Sequence, residues 1–247
     1  MENLIEIKNV YKTYKMGKVE NHALNNINLN IKNGEIVVIL GPSGSGKTTL
    51  LNVISGLDKI SKGKIIYDGK NISKYKDYKM TRFRKKNLGF IFQTYNLLEH
   101  LNVYENVLVG SNLGKTKTDI NEIIETVGLK KHCKKYMYQL SGGEQQRVSI
   151  ARALAKMPKV MFCDEPTGAL DEKTGKIVLK SLVDVNEKMQ TTMVIVTHNP
   201  GIALIGDRVI KMNSGKITEI IDNEKRTNPK DIPWGQFFFI LQSLFHR

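Results

Sequence analysis

Cysteine is scarce: Cys133 and Cys163 lie far apart in a chain of 247 residues, and Cys163 falls inside an apolar run. Neither a disulfide framework nor a cysteine metal site is expected, and a reduced, cytosolic setting fits best. There is a single tryptophan, and the arginines and aromatics do not cluster as on a nucleic-acid platform, so no nucleic acid is expected as a partner. The opening Met1-Glu2-Asn3-Leu4-Ile5-Glu6 lacks a basic start followed by an apolar run, so no secretory signal is expected. Long hydrophobic runs are also missing. Residues 189 to 206 carry no formal charge, but Gln190, threonines and Asn199-Pro200-Gly201 interrupt them, which a lipid-facing helix would not tolerate. Any membrane connection is therefore expected to be peripheral. No internal repeat or low-complexity block is visible.

Charge, by contrast, is plentiful and unbalanced, with 38 lysines and arginines against 24 acidic residues, a net +14. Such a balance fits nucleic acid, anionic lipid or an anionic ligand, and the spread of lysine along the whole chain favours an ordinary solvated surface. With 40% hydrophobic and 25% charged residues, one large globular domain with a sizeable core is feasible.

The most informative stretch is Gly41-Pro42-Ser43-Gly44-Ser45-Gly46-Lys47-Thr48-Thr49, directly after the apolar run Ile36 to Leu40. Glycines let the backbone turn tightly so that successive N–H groups converge on phosphate oxygens. A helix beginning near Lys47 adds its positive end, Lys47 reaches the β- and γ-phosphates, and the Thr48 hydroxyl is placed to hold Mg²⁺. A nucleoside triphosphate site is the expectation.

Around it, Ile5 and Ile7, then Leu29 and Ile31, alternate in the strand manner and suggest an antiparallel β flank. The spacing predicts a helix over Lys47 to Ile54 and strands at Lys64 to Tyr67, before an Asp68-Gly69 turn, and at Leu88 to Phe92. From about 94 to 155 the pattern is mostly helical, with candidate helices at Val103 to Val109, Asp119 to Val127 and Gly142 to Ala155, and reads as an inserted helical subdomain. Val160 to Cys163, Met193 to Val196 and Val209 to Met212 are short β-branched-rich runs separated by helical stretches, which implies a mostly parallel, buried sheet. Asn213-Ser214-Gly215 suggests a closing hairpin. The expected division is a domain over 1–222, a polar linker over 223–231 and a C-terminal segment over 232–247.

Val160 to Cys163 leads into Asp164-Glu165, two carboxylates at the C-terminal end of a strand, the edge at which open α/β sheets bind ligands. Asp164 is suited to Mg²⁺ and Glu165 to orienting an attacking water as general base. A third element, Leu140-Ser141-Gly142-Gly143-Glu144-Gln145-Gln146, sets a hydroxyl and two glycines at the start of a helix. Taken alone Ser-Gly-Gly reads first as a cap and turn; the other reading is a second anion-binding helix end. With two phosphate-seeking surfaces in one chain, the simplest use of both is a head-to-tail pair of copies.

These three motifs together resemble the ATP-binding cassette ATPases, over about residues 3 to 222, with Leu-Ser-Gly-Gly-Glu-Gln-Gln as that family's signature. The resemblance implies an α/β P-loop NTPase (RecA-like) fold with a mostly parallel sheet core, an antiparallel β flank and an inserted helical subdomain, using ATP and Mg²⁺. It implies that Gln93 senses Mg²⁺ and the attacking water, that Ala169-Leu170-Asp171 connects two sites across a dimer, and that His198 contacts the γ-phosphate. It also implies that Tyr14 stacks on adenine, with Tyr11 as a substitute, and that Ser141, Gly142, Gly143 and Glu144 act on the partner copy's nucleotide. Tyr-Lys-Met-Gly and Gly-Phe-Ile-Phe-Gln-Thr-Tyr-Asn-Leu-Leu look like the macrolide-exporter and lipoprotein-release class, which implies a membrane permease as partner and a place at the cytoplasmic face of the cell membrane. A regulator of cell-wall remodelling or signalling, driven by the same ATPase through a membrane partner, is the alternative.

Two segments suggest contacts. Thr94 to Leu101 mixes Tyr95, Leu97, Leu98 and Leu101 with polar groups and reads as a packed loop or as a groove for a permease helix. Trp234, Phe237, Phe238, Leu241, Leu244 and Phe245 recur at helical spacing in a charge-free run from Ile232 to Phe245. That run predicts a short amphipathic helix that lies at a membrane interface, docks on a partner or packs on its own domain.

Overall fold

The computed structural model describes residues 2–17, 19–114 and 118–234. Two long strands, β1 (Asn3–Met16) and β2 (Val19–Lys32), form an antiparallel pair whose register shifts between Ile7 and Val10. Asn9 (φ 49°) and Asn26 (φ 53°) take up the left-handed geometry there, which asparagine tolerates better than most residues, and the Asn28 Oδ1 accepts the Asn9 N–H at 2.9 Å. With β4 (Lys62–Tyr67) and β5 (Lys70–Asn71) they make a four-stranded sheet in the order β2-β1-β4-β5. The expected Asp68-Gly69 turn joins β4 to β5, both residues having positive φ.

The second sheet has the order β10-β9-β3-β8-β7-β6, built from β3 (Ile36–Leu40), β6 (Leu88–Ile91), β7 (Val160–Asp164), β8 (Thr192–Thr197), β9 (Arg208–Asn213) and β10 (Lys216–Asp222). All its pairs are parallel except β9 with β10, the hairpin turned by Ser214 and Gly215. Both faces of the central strands are covered, which is why they read as unbroken apolar runs. Ile36, Val38, Met161, Cys163, Met193 and Ile195 face one core. Val37, Ile39, Val160, Phe162, Val194 and Val196 face another, against the antiparallel sheet and α1 (Lys47–Ile54). Each such aliphatic side chain, fully buried, contributes about 1.5–3 kcal/mol.

The first core continues into α3 (Val103–Leu113), α4 (Ile120–Thr126), α5 (Gly142–Leu154) and α6 (Glu172–Met189). A helix absent from the sequence expectation, α2 (Asp77–Asn87), precedes β6; it buries no residue and leans on the core through Met80 and Phe83. A short helix, α7 (Pro200–Ala203), follows β8. Among the described residues no helix is long and apolar enough to cross a membrane.

Residues 223–231, expected as a linker, run along the body. Arg226 grips Asp207 with Nε and Nη2 at 2.7 and 2.6 Å and donates from Nη1 to Asn186 Oδ1 at 2.6 Å. Asn186, buried on α6, itself donates to the carbonyls of Gly34 and Thr191. Ile232 enters the first core and the Trp234 ring lies flush on Gly175 of α6. The rest of the expected C-terminal helix, 235–247, lies outside the described residues. Arg226→Ala should lower stability by about 1–3 kcal/mol, since bonds to charged groups are lost and Asp207 is left without its cation. Urea unfolding should show a lower midpoint at constant slope; an unmoved midpoint would mean that the strap contributes nothing.

Candidate active site

At the C-terminal end of β3 the chain turns through Gly41, where a Cβ would lie 2.3 Å from the Met212 carbonyl and 2.7 Å from Ser45 Oγ. Gly44 (φ 78°) and Gly46 (φ 97°) adopt left-handed geometry, so this loop shape excludes other side chains. Ser43 is exposed at the loop's surface. Gly46 caps α1 without a side chain, and the first turn of the helix holds no acidic residue. Its leading N–H groups therefore have no carboxylate of their own, which makes this helix end a strong anion seat. Lys47 is 7% exposed and its ammonium reaches across the loop to the Pro42 carbonyl at 2.9 Å. Ser45 Oγ is buried with no partner among the described residues.

Register brings the remaining groups to the same edge: Leu40 is level with Thr197, Asp164 with Val196 and Ile91 with Cys163. Thr48 Oγ1 donates to Asp164 Oδ1 at 3.3 Å, tying the phosphate loop to β7. Burial pushes the Asp164 carboxyl above its ordinary range, with the Thr48 hydrogen bond opposing, the Glu165 charge adding and Lys47 opposing. Glu165 Oε1 lies 2.8 Å from His198 Nδ1, and Oε2 accepts the Thr197 hydroxyl at 3.2 Å. The Glu165 backbone sits at φ 47° and is held there by its N–H bond to the Val196 carbonyl, 2.9 Å. A non-glycine residue in that region stores about 1–2 kcal/mol of strain. Gln93 is exposed, its Nε2 close to the Gly168 backbone in the turn that follows Glu165.

Beside the loop lies a cleft of about 480 Å³ lined by Tyr14, His22, Gly46, Lys47, Thr48 and Thr49. Tyr14, not Tyr11, faces it. Burial and the neighbouring Asp58, to which its hydroxyl donates at 2.8 Å, raise the Tyr14 phenol above its ordinary value.

Ser141, Gly142, Gly143 and Glu144 do not line this cleft. Ser141 caps α5, accepting the Glu144 N–H at 3.4 Å, while Glu144 Oε2 accepts the Ser141 N–H at 2.8 Å. Burial would raise the Glu144 carboxyl, but the Ser141 hydrogen bonds and His132 outweigh it and hold the group low. Gly143 packs against Thr174, whose Cγ2 would stand 2.0 Å from an added Cβ, and Gly142 faces Tyr95 and Leu170. Asp171 caps α6 through the Thr174 N–H at 3.1 Å. The motif and the Ala169-Leu170-Asp171 turn are thus neighbours, and neither lines the cleft.

Three contributors escape motif reading. Thr197 sits one residue before His198 and donates to Glu165. Gln146, fully buried, donates to the Pro166 carbonyl at 2.8 Å and so links α5 to the turn after Glu165. Arg152 donates to the carbonyls of Asn96 and Tyr95 and anchors the segment after Gln93. Gln146 lies inside a quoted motif, Thr197 beside His198 and Arg152 in no motif, and partners 20, 32 and 56 residues away leave no local signal.

A glycine-rich nest on a helix N-terminus, with two carboxylates on the neighbouring strand of a parallel sheet, defines a P-loop nucleoside triphosphatase. A profile of the family described as ABC transporter matches residues 24–168. The chain belongs to that family and carries its ATP-binding ATPase domain. It is 48% identical over 236 residues, 94% of its length, to a putative ABC transporter ATP-binding protein, the MG065 homolog of Mycoplasma pneumoniae, but spans only 51% of that relative. It is 40% identical to the bacitracin export ATP-binding protein BceA of Halalkalibacterium halodurans, over 93% of this chain and 94% of BceA. The dimeric ABC transporter cassette MJ0796 superposes with a TM-score of 0.79 at 41% identity, covering 88% of this chain and 98% of MJ0796. A post-hydrolysis dimer of MJ0796 bound to ADP and Pi superposes with a TM-score of 0.78 at 40% identity, over the same shares of both chains.

Proposed function

We propose that two copies of this chain close head to tail on two Mg-ATP molecules and, from the cytoplasmic face of the membrane, drive a permease that exports peptide, antibiotic or lipoprotein-type substrates or transmits force. The observation that carries this reading is that the Ser141-Gly142-Gly143 helix start lines no part of the Lys47 cleft of its own chain, which leaves it for the nucleotide of another molecule. A second copy brings the Ser141 end of one to the Lys47 end of the other. The MJ0796 dimers support the pairing, and BceA supports export.

Within each site Gly41 to Gly46 and the α1 amides cradle the phosphates, Lys47 neutralises the β- and γ-oxygens, and Thr49 and Tyr14 line the nucleoside side. Thr48 and Asp164, a hydroxyl and a half-buried carboxylate whose charged form needs a counter-ion, suit a hard divalent cation, and Gln93 would add a further oxygen ligand. When bound, Mg²⁺ supplies charge neutralisation on the phosphate oxygens. Glu165, its two oxygens steered by His198 and Thr197, orients water for in-line attack and takes its proton. Ser141 and the Gly142 and Gly143 amides of the second copy complete the γ-phosphate cradle, and Asp171 lies at the seam.

Permease docking falls to an open groove of about 810 Å³ whose lining includes Tyr95, Leu97, His100, Tyr136 and Tyr138, the last 80% exposed. Purification from detergent-solubilised membranes should recover a polytopic membrane protein with the wild-type chain. Tyr138→Glu should reduce that recovery at least tenfold, a loss of about 1.4 kcal/mol. Recovery unaffected by the substitution would move the docking surface elsewhere.

A further inference from the structure

Asp58 lies just beyond the C-terminal end of α1, where the Leu57 and Asp58 amides both donate to the Asn52 carbonyl, at 2.9 and 3.1 Å. One of its oxygens accepts the Tyr14 hydroxyl at 2.8 Å and the other accepts Lys12 Nζ at 2.7 Å. The same ammonium donates to the Lys59 carbonyl at 2.7 Å and lies 4.6 Å from the centroid of the Tyr14 ring. Lys12 is only 8% exposed, a degree of burial that lysine accepts when its charge is fully engaged. Burial would raise the Asp58 carboxyl, but the hydrogen bonds from Lys12 and Tyr14 outweigh it and hold the group below its usual range. The backbone nearby is tied to the same loop, with Ser61 N donating to the Tyr11 carbonyl and Thr13 N to Ser61 Oγ, both at 2.9 Å.

We propose that Asp58 and Lys12 are positioning residues for the nucleotide base: Asp58 fixes the plane of the Tyr14 ring through its hydroxyl, and Lys12 covers one ring face, leaving a single face toward the cleft for a purine. This rests on the reading of Tyr14 as the adenine platform. A ring immobilised before binding loses no rotamer freedom when the base arrives, and a cation against the covered face attracts it electrostatically. The helix α1 then begins at the phosphate nest and ends at the anchor of the base platform, so one rigid element sets the spacing between the two ends of the nucleotide.

The test compares affinity of the purified full chain for ATP with its affinity for inorganic tripolyphosphate, which has no base. Tyr14→Phe and Asp58→Ala should each weaken ATP about fivefold, the size of one net hydrogen bond, and leave tripolyphosphate unchanged. The double variant should lose little more than Asp58→Ala alone, because the bond to the Tyr14 hydroxyl is then already gone. Tyr14→Ala should weaken ATP at least as much as Tyr14→Phe. Equal weakening of tripolyphosphate in Asp58→Ala would reveal a general structural role and overturn the proposal. So would a Tyr14→Ala defect with Asp58→Ala and Tyr14→Phe both unaffected, which would leave the stacking reading intact. A Tyr14→Ala chain that binds ATP normally would sink the stacking reading itself, and the proposal with it.

Discussion

Replacing Glu165 by glutamine is expected to cut steady-state ATP hydrolysis by about 10²–10⁴-fold, the range for a general base, while ATP binding persists. Glutamine matches the length of glutamate and still reaches Thr197 and His198, now 3.2 and 2.8 Å from the carboxylate oxygens, but it cannot accept a proton from water. A chain that binds but does not turn over should accumulate as an ATP-bound dimer. The strained backbone gives a second readout. Glu165 occupies φ 47°, so Glu165→Gly should abolish turnover at less cost in thermal stability than Glu165→Ala, since glycine adopts that geometry without the Cβ clash and both variants lose the Thr197 and His198 bonds. Hydrolysis by Glu165→Gln within a factor of a few of wild type would remove Glu165 from the chemistry.

The second large effect is expected at Ser141, which is exposed and does not line the cleft of its own chain. Ser141→Arg should leave ATP affinity of the monomer intact, yet lower hydrolysis at least about a hundredfold, as removal of a transition-state donor does. Loss of the helix cap alone reduces stability by about 0.5–2 kcal/mol, which Ser141→Ala measures separately. Lys47→Ala should behave in the opposite way and lose ATP binding directly, because its ammonium lies inside the nest. If Ser141→Arg weakened ATP binding to the isolated chain as much as Lys47→Ala, the two surfaces would belong to one site in one molecule.

Much of the engine was legible locally. A strand that runs into Gly41-Pro42-Ser43-Gly44-Ser45-Gly46-Lys47 has few foldable options, and α1 begins and ends where the pattern placed it. The buried strands were legible because both faces of the sheet are covered. The 14-residue strands β1 and β2 were visible only in fragments, since asparagines at the register shifts break the alternation. The helix α2 was hidden because it buries nothing and touches the core through two side chains. The strap over 223–231 read as a linker from its polarity, yet that polarity is what holds it: Arg226 and Asn223 are tied to the body by hydrogen bonds. In the site, Asp58 and Lys12 gave no motif, because their meaning lies in a contact with Tyr14 that only the folded chain creates.

Hydrolysis by a mixture of two inactive variants tests the shared site most directly. In a mixed pair of Lys47→Ala and Ser141→Arg, one site combines both defects and the other combines both intact halves. Mixing equal amounts should therefore restore up to about a quarter of wild-type activity from two silent preparations. A mixture that stays as silent as its components, although pairs form, would contradict a nucleotide gripped by two copies.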